Sequence, residues 1–173
     1  ETANPVLVKV LEDVQQEPMV RHEAAEALGA IGSYESIEVL EKYLNDPVVE
    51  VAETCALALA RIKWLKTQDT SQSNLPESPF ASVDPAPAAE SKTVEELKRV
   101  LINEDESLFN RYRAMFSLRN DGSKEAVEAL GVGLISAKSA LFRHEVAFVF
   151  GQLQNEHSVR YLQESLENPN ENE

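Results

Sequence analysis

Positive charge is the first thing this sequence is short of. Its 173 residues hold 16 Lys and Arg against 30 Asp and Glu, a formal net charge of -14. A surface this acidic repels phosphate backbones, and no basic stripe offsets it, which argues against nucleic acid as a direct partner. A cationic small molecule or a basic protein surface suits the charge better, although the same acidity also serves simply to keep a helical protein soluble. Cysteine is almost absent. Cys55 stands alone, which excludes an internal disulfide framework and points to a reducing compartment, the cytoplasm. It lies in a long apolar run and is read as an inert core thiol. No apolar run approaches the roughly 20 residues of a membrane span, and nothing at the N-terminal end reads as a signal peptide. No membrane is expected. Gly-rich phosphate loops, Cys-x-x-Cys pairs and a Ser/His/Asp arrangement are missing too.

With only six glycines and short β-branched runs, what remains is helical material. Apolar residues recur at spacings of three and four, as in Leu40, Tyr43 and Leu44 or Leu97, Val100 and Leu101, the mark of amphipathic helices. The pattern predicts helices near 4–15, 18–31, 34–45, 48–65, 93–103, 107–119, 123–136, 139–154 and 157–167. Some of them are copies. Arg21-His22-Glu23-Ala24-Ala25 aligns with Glu50-Val51-Ala52-Glu53-Thr54 at a shift of 29, and Arg111-Tyr112-Arg113 aligns with Arg143-His144-Glu145 at a shift of 32. A period near 30 with two helices per unit predicts an all-α, HEAT-like repeat solenoid. One such hairpin cannot bury its apolar face, so the units must stack.

Between the two pairs of repeats the composition changes. Residues 66–92 hold four of the eight prolines (Pro76, Pro79, Pro85 and Pro87) among many Ser, Ala and Gln. Such a stretch resists helix formation and has little to bury. The expectation is two half-solenoids, 1–65 and 93–173, joined by an exposed flexible linker over 66–92. The repeat logic also predicts helices beyond both ends. The chain opens on what reads as the second helix of a unit, and Glu167-Asn168-Pro169 matches Gln16-Glu17-Pro18, where a further helix would start. A piece of a longer protein is expected.

Two of the three histidines are followed directly by glutamate, His22-Glu23 and His144-Glu145. Both pairs sit in one frame, Arg-His-Glu-x-Ala-x-x-x-Gly, ending at Gly29 and Gly151. The repeats between them carry Val51-Ala52 and Tyr112-Arg113 instead, so the frame itself does not require His-Glu. Imidazole with carboxylate suits Fe(II), Zn(II) or Mn(II). Adjacent helical residues diverge by about 100°, so one helix can aim a His at one metal and a Glu at a second. Helical di-iron proteins more often use Glu-x-x-His, and a lone His-Glu dipeptide is more often solvated than metal-bound. Both pairs are expected on the concave faces of their halves, within reach of a shared site. His157 opens a helix and is read as a cap or surface residue.

Several runs are specific beyond the Ala/Leu/Gly repeat frame. They are the stretch from Gln16 to Gly32 headed by Pro18-Met19-Val20-Arg21-His22-Glu23, the stretch from Arg111 to Arg119, Leu141-Phe142-Arg143-His144-Glu145 with Gly151-Gln152-Leu153, and Ser82-Val83-Asp84-Pro85-Ala86-Pro87. Together they resemble the deoxyhypusine hydroxylases, in order and over nearly the whole chain. The resemblance implies a monooxygenase that uses molecular oxygen and two iron ions to hydroxylate the deoxyhypusine side chain of translation initiation factor 5A. In that family four His-Glu pairs surround the metals. His22-Glu23 matches the second pair and His144-Glu145 the third, while the first and fourth have no counterpart here. By the same resemblance Met19, Gly29 and Gly151 line the substrate pocket. A chain with half the ligands is expected to bind iron weakly or in reduced number and not to turn over as a monomer, although a homodimer could bring the missing pairs together. Two other readings share the repeat frame, a non-enzymatic protein-binding scaffold and a HEAT-like bilin lyase. Stoichiometric iron, partner binding by metal-free protein, or bilin transfer separates the three.

Overall fold

The computed structural model describes residues 2–67, 78–90 and 92–171. Among these residues there are nine α-helices and no strand, as the periodicity predicts. They are α1 (Asn4–Glu12), α2 (Pro18–Ile31), α3 (Ile37–Lys42), α4 (Val49–Thr67), α5 (Val94–Ile102), α6 (Leu108–Asp121), α7 (Lys124–Ser136), α8 (Ala140–Leu153) and α9 (Val159–Glu167), with short 3₁₀ turns before α3 and α9. No helix among the described residues is long and apolar enough to cross a membrane.

The helix starts are written locally. Ser107, Ser123 and Ser139 each accept a hydrogen bond from a backbone N–H in the first turn of α6, α7 and α8, and Thr93 forms a full capping box with Glu96 ahead of α5. Pro18 stands at the first position of α2, where its missing N–H costs nothing. Left-handed Gly32 and Gly122 stop α2 and α6, and Asx turns stop α1, α5 and α9. Asp13, Asn103 and Asn168 fold their side chains onto the N–H two residues on, at 3.0, 3.1 and 3.1 Å. Such a turn ends α1 at Glu12, three residues before the expected 15. The expected helix over 34–45 is likewise a 3₁₀ turn followed by a shorter α3, because Asp46 accepts from the Val48 N–H at 2.9 Å and draws the chain into the turn before α4.

The helices form two compact units. Unit 1 comprises residues 2–67 with 83–85, and unit 2 comprises 78–82 with 86–171. In unit 1, α2 packs on α4, with α1 and α3 behind them. Its core holds Leu11, Ala25, Leu28, Leu40, Val51, Cys55 and Ile62, all fully buried. In unit 2, α5, α7 and α9 make one row and α6 and α8 the other. Aromatic edges tie the second row together: Tyr112 meets the Phe142 ring at 5.6 Å and the Phe116 ring at 6.2 Å.

The expectation of an exposed linker over 66–92 does not hold for its last part. Pro85, Ala86, Ala88 and Ala89 are buried. Arg113 donates to the carbonyl of Pro87 at 3.3 Å, and the Ala89 N–H is held by Ser117 Oγ at 2.7 Å. Alanine and proline bury without polar side chains to satisfy, and α6 supplies hydrogen-bond partners for the backbone of Pro87, Ala88 and Ala89. Within unit 1, Arg61 donates to the Asp84 carbonyl at 3.1 Å. Lys66 and Thr67 extend α4, residues 78–84 are largely exposed as expected, and residues 68–77 and 91 lie outside the described residues.

Candidate metal-ligand pairs on α2 and α8

The arginine of the repeated frame is a structural pin. Arg21 donates through Nε to the Leu11 carbonyl at 2.9 Å and grips the Asp46 carboxylate with both remaining nitrogens. Arg111 repeats the move, with Nε on the Leu101 carbonyl at 2.9 Å and an arm on Glu104 at 3.0 Å. Arg143 holds the Ala137 carbonyl at 2.8 Å and Glu171 at 2.9 Å. A guanidinium satisfies a carbonyl and a carboxylate together because its donors form a rigid fork. It thereby fixes the rotation of each helix about its axis. The next two residues inherit that rotation.

His22 is buried at 2% exposure, whereas the side chain of Glu23 is 66% exposed. In the second pair the order is reversed, with His144 exposed and Glu145 buried at 8%. The neighbours explain the inversion. The His position of the frame faces the helix that follows, and the Glu position faces whatever precedes. In the intervening repeat Tyr112, at the His position, reaches the Leu141 carbonyl of α8 at 3.5 Å, while Arg113, at the Glu position, reaches back to Pro87. Within unit 1, α4 follows α2 and covers His22. Within unit 2, α6 precedes α8 and packs against it, and Glu145 on α8 is buried.

His22 Nδ1 lies 2.8 Å from Thr54 Oγ1 on α4, and its Nε2 lies 3.6 Å from Glu23 Oε1. One turn on, the carboxyl of Glu26 is pushed above the ordinary glutamate range, first by burial and then by the charge of Glu23. The Cys55 thiol, fully buried in the same unit, is pushed up to about 12 by burial, which keeps it un-ionised and inert. His157 is half-buried in the turn before α9, where its N–H is capped by Asn155 at 2.9 Å. Among the described residues, no three His, Cys, Asp or Glu side chains gather around one point as a metal site. Each unit supplies a pair, and the donor chemistry of each pair, one imidazole nitrogen and one carboxylate, fits iron.

The residues expected at a substrate pocket fall in different settings. Met19 is exposed on the first turn of α2. Gly29 is buried where α2 crosses α4, and a Cβ there would stand 2.7 Å from the Ala58 Cβ and 2.9 Å from its Cα. Gly151 would meet nothing within 4 Å. The two frame glycines thus predict opposite outcomes. Gly29→Ala pushes α2 off α4 and should destabilise the protein by about 1–3 kcal/mol. Gly151→Ala should stabilise it by up to about 1 kcal/mol through helix propensity alone. Urea denaturation of the two variants checks both signs.

The fold and the paired arrangement define a helical-repeat protein of the HEAT class. The sequence model for HEAT repeats matches residues 1–73. Within that class the likeness is narrower. The chain is 55% identical over 173 residues to deoxyhypusine hydroxylase of Danio rerio, covering 99% of this chain and 56% of the relative. It is 58% identical over 170 residues to that of Drosophila melanogaster, covering 97% of this chain and 55% of the relative. The solved structure of human deoxyhypusine hydroxylase in complex with glycerol matches with a TM-score of 0.92 at 53% identity, over 99% of this chain and 58% of that one. Over the span it covers the chain is similar to the deoxyhypusine hydroxylases, and it spans about half the length of the curated relatives it matches.

Proposed function

We propose that this chain is part of an iron-dependent monooxygenase that hydroxylates the deoxyhypusine side chain of translation initiation factor 5A to hypusine, with molecular oxygen as co-substrate. The observation that carries the reading is the likeness to deoxyhypusine hydroxylases over 99% of the chain, at 55% identity, with both His-Glu pairs inside the matched span. A scaffold or a bilin lyase is not favoured by that likeness. Iron would supply the redox chemistry that an unactivated C–H bond demands and that side chains alone cannot provide. His22, Glu23, His144 and Glu145 are the ligands in this reading. Glu145 and His22 are held by burial in their helix rows, while Glu23 and His144 stand open to solvent.

The substrate side chain is a long polyamine-like cation, and the protein is strongly acidic, at -14. Exposed carboxylates not committed to the metal attract and orient amine nitrogens by charge. Met19, Gly29 and Gly151 belong to the substrate side in this reading, with Gly29 serving α2–α4 packing as well. With four of the family's ligand side chains, the chain is expected to hold iron weakly as a monomer. A homodimer that pools two sets of pairs is the arrangement in which retention should rise.

A chimaera tests the reading. When this chain replaces the matching span of the human enzyme, deoxyhypusine-bearing factor 5A should gain one oxygen atom by mass spectrometry. A folded, iron-loaded chimaera that yields no hypusine would count against the assignment.

A further inference from the structure

Thr54 stands out in the repeat register. One unit earlier its place is filled by Ala25, a small apolar residue that suits a helix crossing, and here a hydroxyl is buried instead at 1% exposure. Buried hydroxyls need partners, and this one has two. Thr54 Oγ1–H donates to the Glu50 carbonyl one turn back at 2.7 Å, and the same oxygen lies 2.8 Å from His22 Nδ1. A carbonyl can only accept, so the single hydroxyl proton is committed to Glu50. The oxygen therefore meets His22 as an acceptor, and Nδ1 must carry the hydrogen.

We propose that Thr54 is a positioning residue for iron: it fixes His22 in the Nδ1–H form and holds the ring so that Nε2 is the nitrogen presented to the metal. This rests on the reading of His22 as a ligand. The physical logic is that a ligating imidazole is oriented and kept in one tautomer by what its other nitrogen donates to. Here the acceptor is itself anchored, since the bond to Glu50 restricts the threonine rotamer. The helix crossing supports the same geometry. Gly29, one turn beyond Ala25 on α2, lets Ala58 approach so closely that no Cβ fits between them, and this brings α4 within reach of the ring. His144 is exposed, and among the described residues no such hydrogen bond holds its ring.

The test separates this proposal from the ligand reading beneath it. Long-range ¹H–¹⁵N spectra of the metal-free 173-residue chain, in buffer alkaline enough to keep the ring neutral, report the tautomer of His22 directly, with His22→Ala to assign the signal. Wild type and Thr54→Ser should show protonated Nδ1 and bare Nε2, and Thr54→Val should shift the ring toward protonated Nε2. His144 should read the same in all three. Anaerobic equilibrium dialysis with ferrous iron should then show Thr54→Val weakened by about 10–100-fold and Thr54→Ser close to wild type. A wild-type His22 protonated at Nε2, or a tautomer indifferent to Thr54→Val, overturns the proposal whatever the iron result. A tautomer that shifts as stated, with iron binding unmoved by either Thr54→Val or His22→Ala, overturns the metal role and the ligand reading together while leaving the hydrogen-bond relay in place.

Discussion

Arg21→Ala should cost about 3–5 kcal/mol, because it strands a buried carboxylate. Arg21 and Asp46 side chains are 3% and 2% exposed, so water cannot replace the lost partner. The Leu11 carbonyl loses its Nε donor in the same substitution. Arg21→Lys should recover only part of the loss, since an ammonium cannot serve the carbonyl and both carboxylate oxygens with one rigid fork. The pair also has a pH signature. The hydrogen bond from Arg21 is the largest influence holding the Asp46 carboxyl below its ordinary range, ahead of the opposing effect of burial. A depressed carboxyl contributes stability that is fully present above the unfolded pKa of about 3.9. That contribution is lost as pH falls from there through the folded value. Urea midpoints of wild type and Arg21→Ala should therefore converge on acidification below about pH 4 and lie furthest apart near neutrality. A neutral-pH difference under about 1 kcal/mol, the size of an exposed pair, would show that the pin is dispensable.

The second large effect concerns iron. His144→Ala should lower ferrous iron affinity by at least about 100-fold, beyond the 10–100-fold typical of residues that only orient a ligand. Because His144 is exposed, the same variant should keep its stability within about 0.5 kcal/mol of wild type. This dissociation of binding from folding marks a ligand. His22→Ala offers no such contrast, since His22 is buried and its loss removes the partner of Thr54 as well. An unchanged iron affinity in a folded His144→Ala protein would remove His144 from the ligand set.

Much of the fold was legible in the residues. Serine at 107, 123 and 139, each followed by an apolar period of three and four, gives helix starts that lie within a residue of those observed. The stops of α5 and α9 fall within a residue of those expected, whereas α1 ends three residues early because Asp13 folds back on its own backbone, a short-range competition that periodicity does not register. The burial of Ala86, Ala88 and Ala89 was illegible for another reason. Composition reports what a segment can bury, not what a neighbouring helix offers it, and Arg113 and Ser117 made the difference.

The His-Glu pairs were legible as a repeated motif, and their opposite burial was not. Register says that His22 and His144 are equivalent, yet equivalence in a solenoid extends only as far as both neighbours are the same. α4 covers one imidazole and nothing among the described residues of unit 2 covers the other, so a single frame yields a buried His beside an exposed Glu and an exposed His beside a buried Glu. Thr54 carried a faint signal, a hydroxyl at a register position that holds alanine one unit before.

Iron K-edge absorption of the iron-loaded 173-residue protein reads the ligands themselves. The account predicts a first shell of imidazole nitrogen and carboxylate oxygen without sulfur, with the imidazole contribution lost in a His22→Ala, His144→Ala double variant. A wild-type spectrum containing sulfur, or one whose imidazole signal survives both substitutions, would contradict it.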